Sequence, residues 1–397
     1  MRPSLATRVH RRTGFWLVAL AFFVTMLGST LPTPLYVIYQ QRLGFSTTAT
    51  TVIFAAYALG VLAALLLFGR ASDVLGRRRV LIPGLGCAML SGAVFLAANS
   101  LAWLAVARLL SGLAAGIFTG TATAALVDLA GEGHEGRATL VATLANMGGL
   151  GAGPLIAGLL AGLELAPLRL PFAVHLGLLA LVTLGVWLTP ETVATSQERL
   201  RIVLPKVPAT MRGTFARAAL AGFAGFAVLG MFTAVWPAML RRLVDISHPA
   251  VAGASVFVLF AASAVGQLTL VRPLRHHALA AGSAMLAVGM VLFGAGVWTG
   301  ALAVLTLAVA IAGLGQGVGL RAALGMLNAK APVARRAEVV SAFFVVVYTA
   351  ISMPVIGVGV VADTWDLRTA GTGFSGAVAA LAVLVVFAIR GRWGDAT

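Results

Sequence analysis

A short charged insert, GRASDVLGRRRV, separates two long apolar runs and carries a dense group of ionisable side chains. Asp73 precedes Arg77 and Arg78, with Gly69 and Gly76 on either side of the acid. A carboxylate beside guanidinium groups and the start of a helix can form charge-assisted hydrogen bonds with both. The insert therefore predicts an ionic contact that stabilises one packing of the neighbouring helices. The alternative is that the arginines only set membrane topology and bind lipid phosphates.

Arg108 and His175 are two further ionisable residues whose positions suggest a role. Arg108 lies roughly 10 Å deep in an apolar run, and cations at such depth normally face protein or a water-filled cavity. We expect it to line a pore and to act on a substrate or proton site, with packing or snorkelling as the alternative. Gly112 follows one turn later and allows another helix to approach closely. His175 can titrate near neutral pH, although a hydrogen-bonded structural histidine is the preferred interpretation.

The composition places these residues in a membrane protein. Hydrophobic residues make up 60% of the chain and charged residues 10%, whereas soluble domains carry roughly 25% charged residues. The mean hydropathy is +1.00. Apolar runs of helical length recur about twelve times, and continuous runs such as LAALLLF lack the alternation that a barrel requires. The predicted fold class is an all-α membrane protein with twelve transmembrane helices.

The basic residues are concentrated in alternate loops, which lie on the same side of the membrane. A net charge of +16 would indicate nucleic acid binding in a soluble chain. Here most of the 28 Lys and Arg fall on one side when the N-terminus is placed in the cytoplasm, which is the positive-inside distribution. We therefore expect a multi-pass protein of the cell (inner) membrane, with both termini cytoplasmic and no nucleic acid partner. The run from Phe15 to Leu31 has no small-residue cleavage site, so it is predicted to be the first helix rather than a signal peptide.

The chain also contains an internal repeat at a separation of about 200 residues. The segment SGLAAG at 111–116 overlays AGLGQG at 312–317, and Pro154 overlays Pro354. The repeat predicts two parallel six-helix bundles, 1–192 and 215–397, joined by a cytoplasmic linker at 193–214. Transporters built from such repeats bind their substrates between the two halves. Chance similarity between Gly-rich helices is the alternative.

The insert resembles the signature loop of the major facilitator superfamily, G-x-x-x-D-x-x-G-R-R. Three further segments resemble the drug and proton antiporter branch of that family: LAVARLLSGLAAG in the fourth predicted span, GLGAGPLIAG in the fifth, and Pro190, Glu191 and Thr192 after the sixth. Ser111 replaces the usual Gln of the fourth-helix pattern, and VRPLRHH is a degraded second copy of the signature without an acid. The segments that carry the resemblance all lie in the first half of the chain. The second half resembles the family only through the internal repeat.

The resemblance implies a secondary transporter that works by alternating access. It implies a conformational latch on the cytoplasmic side, formed by Gly69, Asp73, Gly76, Arg77, Arg78 and Asp128. It implies a fifth helix that controls leak and direction through Gly149, Gly153, Pro154 and Gly158, with ordinary small-residue packing as the alternative. It places the substrate cavity among helices 1, 4, 7 and 10, where the candidate contacts are Thr30, Tyr36, Trp236 and Gln316. Interfacial anchoring is the alternative for Tyr36 and Trp236.

The predicted function is proton-coupled export of small amphipathic compounds or drugs by a monomer, with no cofactor and no metal ion. Its partners are a small-molecule substrate, protons and the lipid bilayer. The proton site is not evident, because the segment from Gly14 to Gln40 contains no Asp or Glu. Uptake or efflux of one metabolite or sugar, by symport or facilitated diffusion, is the alternative. We do not expect an enzyme, because no acidic metal site or His and acid cluster lies at membrane depth.

Overall fold

The computed structural model describes residues 10–69, 71–193 and 205–390, which form helices joined by short connections. The helices are α1 (Arg11–Thr30), α2 (Tyr36–Leu43), α3 (Thr47–Phe68), α4 (Ala71–Leu75), α5 (Arg77–Ala97), α6 (Leu101–Ala130), α7 (Glu135–Gly162), α8 (Leu170–Leu188), α9 (Arg212–Ala234), α10 (Trp236–Leu243), α11 (Pro249–Val265), α12 (Val271–Leu274), α13 (Ala278–Thr299), α14 (Leu302–Lys330), α15 (Arg336–Ala350), α16 (Met353–Thr364) and α17 (Leu367–Arg390). A π-helical segment, Gly266–Leu270, continues α11 into α12.

Eleven helical stretches in the described part of the chain are long and apolar enough to cross a membrane. The stretch Pro249–Thr299 contains 51 residues, more than twice the roughly 20 that one crossing requires. Arg275, with a φ of 44°, separates its two long helices α11 and α13. This stretch therefore supplies two crossings, which brings the described crossings to the twelve predicted. The predicted all-α membrane fold is confirmed.

The first compact unit consists of the described residues up to Leu35 together with residues 56–193. In this unit α1 packs against α6, α7 and α8, while α5 packs against α6 and α8. Aromatic rings fill part of its core, where Phe95 stacks on Phe172 with ring centroids 4.5 Å apart. The charged groups of the predicted latch lie on α4, at the start of α5 and near the end of α6.

The second compact unit consists of Tyr36–Ala55 and residues 205–390. Here α14 packs against α9, α11 and α13, while α17 packs against α9 and α13. The rings of Phe232, Trp236 and Phe293 form a cluster with centroids 5.1 to 5.5 Å apart. The division of the chain at 192 and 215 stays a prediction, and residues 194–204 of the predicted linker lie outside the described residues, as do Arg70 and the two terminal segments.

Glycines bring α6 against α3 in the first unit. A Cβ atom at Gly112 would overlap the carbonyl oxygen of Tyr57, and one at Gly116 would lie 2.8 Å from the carbonyl oxygen of Val61. The two helix backbones therefore touch, as the spacing of small residues predicts. This close approach of α3 and α6 also brings Tyr57 of α3 near Arg108 of α6.

The same crossing recurs in the second unit between α14 and α11. A Cβ atom at Gly313 would lie 2.5 Å from the carbonyl oxygen of Leu259, and one at Gly317 would overlap that of Ser263. In both units the paired glycines are four residues apart and meet carbonyl groups four residues apart. The packing thus matches the predicted overlay of 111–116 on 312–317.

The close crossing predicts opposite effects of alanine at two glycines of α6. Alanine is favoured over glycine in a helix by about 1 kcal/mol. Gly120 is exposed, and a Cβ atom there would meet no atom of a neighbouring helix within 4 Å, so Gly120→Ala should leave the thermal unfolding midpoint unchanged or raise it. Gly112→Ala must separate α3 from α6 and should lower that midpoint in the purified full chain. Equal midpoints for the two variants would contradict the backbone contact.

Candidate functional site

Arg77, the first residue of α5, joins three oxygen acceptors at one end of the first unit. Its Nη1 donates to Asp73 Oδ1 at 2.5 Å and to Ser72 Oγ at 2.8 Å, while its Nε donates to Asp128 Oδ2 at 3.0 Å. The Arg77 side chain is 13% exposed, that of Asp128 30% and that of Asp73 55%. Water screens the pair with Asp128 less than the pair with Asp73, so the contact with Asp128 is the stronger of the two.

Asp128, near the end of α6, connects two further segments to this cluster. Thr192, which follows α8, donates its hydroxyl to Asp128 Oδ2 at 3.2 Å. Arg11, the first residue of α1, donates from Nη2 to the Asp128 carbonyl oxygen at 2.6 Å. The structure thus brings together Asp73, Arg77 and Asp128, the three ionisable members of the predicted latch whose pairing the resemblance implied.

Glu191 binds the N-terminus of α5, a role that the sequence did not reveal. Its Oε1 accepts from the Arg78 backbone N–H at 3.3 Å and its Oε2 from that of Arg79 at 3.4 Å. Helix α5 has no acid in its first turn, and its N-cap residue is Gly76 with a φ of 101°. A Cβ atom at Gly76 would lie 2.6 Å from the Glu191 carboxylate. Gly76 therefore supplies both the left-handed backbone and the space that the cap requires.

The Arg78 side chain binds the C-terminus of α8, just before the segment that holds Glu191. Its Nη1 donates to the carbonyl oxygens of Trp187 at 3.3 Å and Thr189 at 3.1 Å, at the C-terminus of α8. Free carbonyl groups at a helix C-terminus favour a cation. Gly69 directly follows α3, and a Cβ atom there would lie 2.5 Å from the Leu65 carbonyl oxygen of that helix. All six predicted latch residues thus lie at helix ends or beside them.

Arg108 is buried in the first unit, with 1% of its surface exposed. Its Nη1 donates to the Ser29 carbonyl oxygen of α1 at 2.5 Å, and its guanidinium carbon lies 4.7 Å from the centroid of the Tyr57 ring. A carbonyl group and an aromatic face both stabilise a cation. Arg108 therefore links α6 to α1 and α3. It lies apart from the cluster around Arg77.

His175 is also buried, and its imidazole lies between α8 and α1. Its Nε2 donates to the Val24 carbonyl oxygen at 3.0 Å. A Cβ atom at Gly28 would overlap the ring, so glycine makes room for it. The cavity beside the ring measures about 10 Å³, the size of about one water molecule. This geometry favours the structural interpretation of His175 over a pore or coupling role.

Thr30 compensates for the proline of α7. Pro154 has no N–H, so it cannot bond the carbonyl group of Leu150, which lies four residues earlier. The Thr30 hydroxyl donates to that Leu150 oxygen at 2.7 Å. In apolar surroundings an unpaired carbonyl group is costly. Thr30, a predicted substrate contact, thus has its hydroxyl engaged in joining α1 to α7.

The glycines around Pro154 bring α7 onto α1. A Cβ atom at Gly149 would lie close to the Phe23 carbonyl oxygen, and one at Gly153 would lie 2.5 Å from Thr30 Oγ1. Gly158 is buried on the same helix. The predicted antiporter segment is therefore the part of α7 whose backbone touches α1.

Trp236 and Tyr36 are buried in the second unit, with 1% and 2% of their surface exposed. Trp236 packs between the rings of Phe232 and Phe293. Its indole N–H donates to no described residue. Burial of Trp236 inside the unit does not fit the interfacial-anchor alternative, because such anchors lie at the membrane surface.

Gln316 belongs to a polar cluster that the sequence did not reveal. Ser263 donates to Gln316 Oε1 at 2.6 Å, and Gln267 Nε2 donates to Ser263 Oγ at 3.2 Å. All three side chains are buried, and Gln316 Nε2 donates to no described residue. Gln267 lies in the π-helical segment Gly266–Leu270, and such segments are frequent at functional sites.

Asp363, near the end of α16, binds the N-terminus of α3. Its Oδ1 accepts from the Thr47 N–H at 3.1 Å and its Oδ2 from the Thr48 N–H at 2.7 Å. One turn earlier, a Cβ atom at Gly359 would lie 2.5 Å from Thr51 Oγ1. The carboxylate thus caps a helix that begins 316 residues earlier in the chain. No local pattern at Asp363 marks it as a cap.

The Major Facilitator Superfamily matches residues 18–354. The chain belongs to this family and is a multi-pass membrane transporter rather than an enzyme. A crystal structure of the peptide transporter POT superposes with a TM-score of 0.78 at 15% identity, covering 97% of this chain and 95% of that one. At this identity the likeness concerns the fold alone.

Two curated relatives match part of the sequence. An uncharacterised MFS-type transporter of Methanocaldococcus jannaschii is 29% identical over 168 residues, which are 40% of this chain and 42% of the relative. The puromycin resistance protein of Streptomyces alboniger is 34% identical over 178 residues, which are 44% of this chain and 34% of the relative. The matched region thus spans less than half the length of either relative.

The bond between Thr30 and Leu150 predicts a specific double-mutant cycle. Thr30→Val removes the hydroxyl at nearly constant volume and leaves the Leu150 carbonyl group without its donor, a cost of about 1–3 kcal/mol. We expect a lower thermal unfolding midpoint for Thr30→Val and little change for Thr30→Ser. In a Pro154→Ala background the backbone N–H is restored, so Thr30→Val should cost much less there. An equal cost in both backgrounds would show that the hydroxyl does not replace the missing N–H.

Proposed function

We propose that the protein exports small amphipathic compounds by alternating access, driven by the proton gradient across the cell (inner) membrane, with both termini in the cytoplasm. The single observation that carries export is the 34% identity to a puromycin resistance protein over 178 residues. The contacts of α7 with α1 support it further, because Pro154 and its glycines are the segment that resembles the antiporter branch.

The latch of this transporter is the cluster around Arg77. Its acceptors come from three elements: Asp73 on α4, Asp128 on α6 and, through the cap on α5, Glu191 after α8. Each contact is charge-assisted and therefore directional and strong for a hydrogen bond. Rearrangement of the helices at this face must break several of them together, which makes the arrangement two-state rather than gradual.

Asp363 makes a second charge-assisted contact between distant segments, this one within the second unit. Its carboxylate accepts from the Thr47 and Thr48 N–H groups at the N-terminus of α3. In the proposed transport cycle this cap is a further contact that holds one arrangement of the helices around it.

The locations of the described acids support a proposal for the site of the coupling proton. Every Asp and Glu that the structure describes is located in a connection or within a few residues of a helix end. We infer that the coupling proton would use these helix-end carboxylates or His175, whose imidazole is buried against Val24. We favour the carboxylates, because protonation of Asp73, Asp128 or Asp363 would weaken a contact that holds one conformation.

The second candidate is a carrier for one uncharged polar metabolite or sugar. The observation that favours it is the buried cluster of Ser263, Gln267 and Gln316, which contains hydrogen-bonding groups but no charge. Trp236 Nε1 and Gln316 Nε2 are buried donors with no described acceptor. The hydroxyl oxygens of a solute can accept hydrogen bonds from an indole N–H and from an amide N–H.

Uptake by everted membrane vesicles that contain the full chain tests the proposed function. Puromycin and a panel of cationic, neutral and anionic fluorescent compounds serve as probes. We expect uptake of at least one amphipathic probe on energisation, its collapse on addition of a protonophore, and a loss of roughly tenfold in Asp73→Asn at equal protein level, since 1.4 kcal/mol corresponds to a factor of ten. Vesicles without the protein provide the background.

Two outcomes of this assay would contradict the proposal. Uptake that is unchanged by the protonophore would indicate facilitated diffusion instead of proton-driven export. Absence of uptake for every probe, in vesicles where the protein is inserted, would favour the metabolite carrier. Unchanged uptake in Asp73→Asn would contradict the latch but not the export.

A further inference from the structure

A basic cavity lies in the first unit where α1 and α7 begin and α6 ends. Its volume is about 330 Å³, within the range of pockets that bind small molecules. Its lining contains five basic side chains and no Asp or Glu: His10, Arg11, Arg12, His134 and Arg137. The remaining lining residues are Phe15, Trp16, Leu129, Ala130 and Gly131. The cavity is separate from the Arg108 and His175 environments, and it adjoins the Arg77 cluster through the bond from Arg11 to the Asp128 carbonyl oxygen.

Two of the three arginines of this cavity, Arg11 and Arg137, are positioned by other contacts. Arg11 donates from Nη2 to the Asp128 carbonyl oxygen at 2.6 Å, which directs its guanidinium toward the end of α6. The Arg137 guanidinium carbon lies 5.9 Å from the centroid of the Trp16 ring. A guanidinium that is held in place loses less side-chain freedom when it binds an anion. The carboxylate of nearby Glu135 accepts from the Gly133 N–H at 3.3 Å and does not line the cavity.

Two helix N-termini add to the positive potential. Helices α1 and α7 have 20 and 28 residues, and both begin at the cavity. The N-terminus of a helix carries roughly half a positive charge and free N–H groups that bind anions such as phosphate. Side chains and backbone thus favour the same ligand, a compact anion with several oxygen acceptors.

Exposed apolar surface continues from the cavity along both helices. On α1, Trp16 and Leu20 lie one turn apart and are each 48% exposed. On α7, Leu140 and Leu144 lie one turn apart and are 42% and 47% exposed, just beyond Arg137. Helices α1 and α7 are packed against each other. A tryptophan at the end of a membrane-spanning helix marks the membrane interface, so the cavity lies at headgroup level and the apolar surface at acyl-chain level.

We propose that this cavity binds the phosphate group of an anionic membrane phospholipid, with the acyl chains along the exposed apolar faces of α1 and α7. The shared ligand chemistry is a phosphate ester. The apolar surface next to the cavity selects the lipid over a free phosphate ester, which has no group to cover that surface.

Lipid retention on the purified full chain tests this proposal. Native mass spectrometry should show phosphatidylglycerol retained over phosphatidylcholine of the same acyl chains, which has the same phosphate but no net charge. The variant with Arg12→Gln and Arg137→Gln should lose this preference by roughly tenfold or more, since each basic residue near an anionic surface contributes about 1 kcal/mol. The control with Arg272→Gln and Arg335→Gln loses equal charge at exposed sites outside the cavity and should retain the preference.

A conservative variant and a competition experiment complete the test. Arg12→Lys with Arg137→Lys keeps the charge and should keep much of the preference, so the test remains valid if the glutamine variant fails to fold. Glycerol 3-phosphate at millimolar concentration should not displace the lipid; displacement would show a site for a soluble phosphate ester. Equal retention of both lipids by the unmodified chain, or equal loss in the control variant, would overturn the proposal.

Discussion

The structure depends on one constraint: the backbone groups that a helix leaves unpaired, at its end or at a proline, need a hydrogen-bonding partner. Glu191 supplies it for α5, and Asp363 supplies it for α3. Thr30 supplies it for the carbonyl group that Pro154 leaves unpaired in α7. In each case the partner lies more than 100 residues away in the chain. These contacts therefore join distant helices as they complete the backbone.

Close backbone crossings position those contacts. Where Gly112 and Gly116 meet α3, no side chain separates the helices, so a small rotation of either helix would produce overlap. Gly313 and Gly317 impose the same condition on α11 and α14. Such crossings hold each helix pair as one body. In the proposed transport cycle, the charged contacts at the helix ends are the interactions that the conformational change exchanges. That division of roles suits a protein that alternates between two arrangements.

Much of this fold could be predicted from the sequence, because its signals are local. Hydropathy located the spans, Gly112 predicted the close approach of a helix to α6, and the internal repeat predicted the matching crossing in the second unit. The pairing of Arg77 with Asp128 came only from the family resemblance. The caps could not be predicted, since nothing near Glu191 or Asp363 indicates which helix N-terminus it meets.

Two candidate sites illustrate the same limit. Thr30 was predicted as a substrate contact from its helix, and its bond to Leu150 depends on how α1 packs against α7. The π-helical segment that brings Gln267 to Ser263 and Gln316 depends on the contact of Gly266 with the Leu314 carbonyl oxygen of α14. A Cβ atom at Gly266 would lie 2.5 Å from that oxygen. Tertiary geometry of this kind leaves no periodic signal in the chain.

Hydrogen exchange in the full chain, reconstituted in lipid nanodiscs, tests the central claim that carboxylates complete the ends of distant helices. Two variants form a crossed pair. Asp363→Ala should accelerate exchange at Thr47 and Thr48 while Arg78 and Arg79 exchange as before, and Glu191→Ala should do the reverse. A loss of roughly 1–2 kcal/mol at the cap predicts about a five- to thirtyfold faster opening at the affected amides. Unchanged exchange at the capped amides, or the same increase at both helix ends in either variant, would contradict the account.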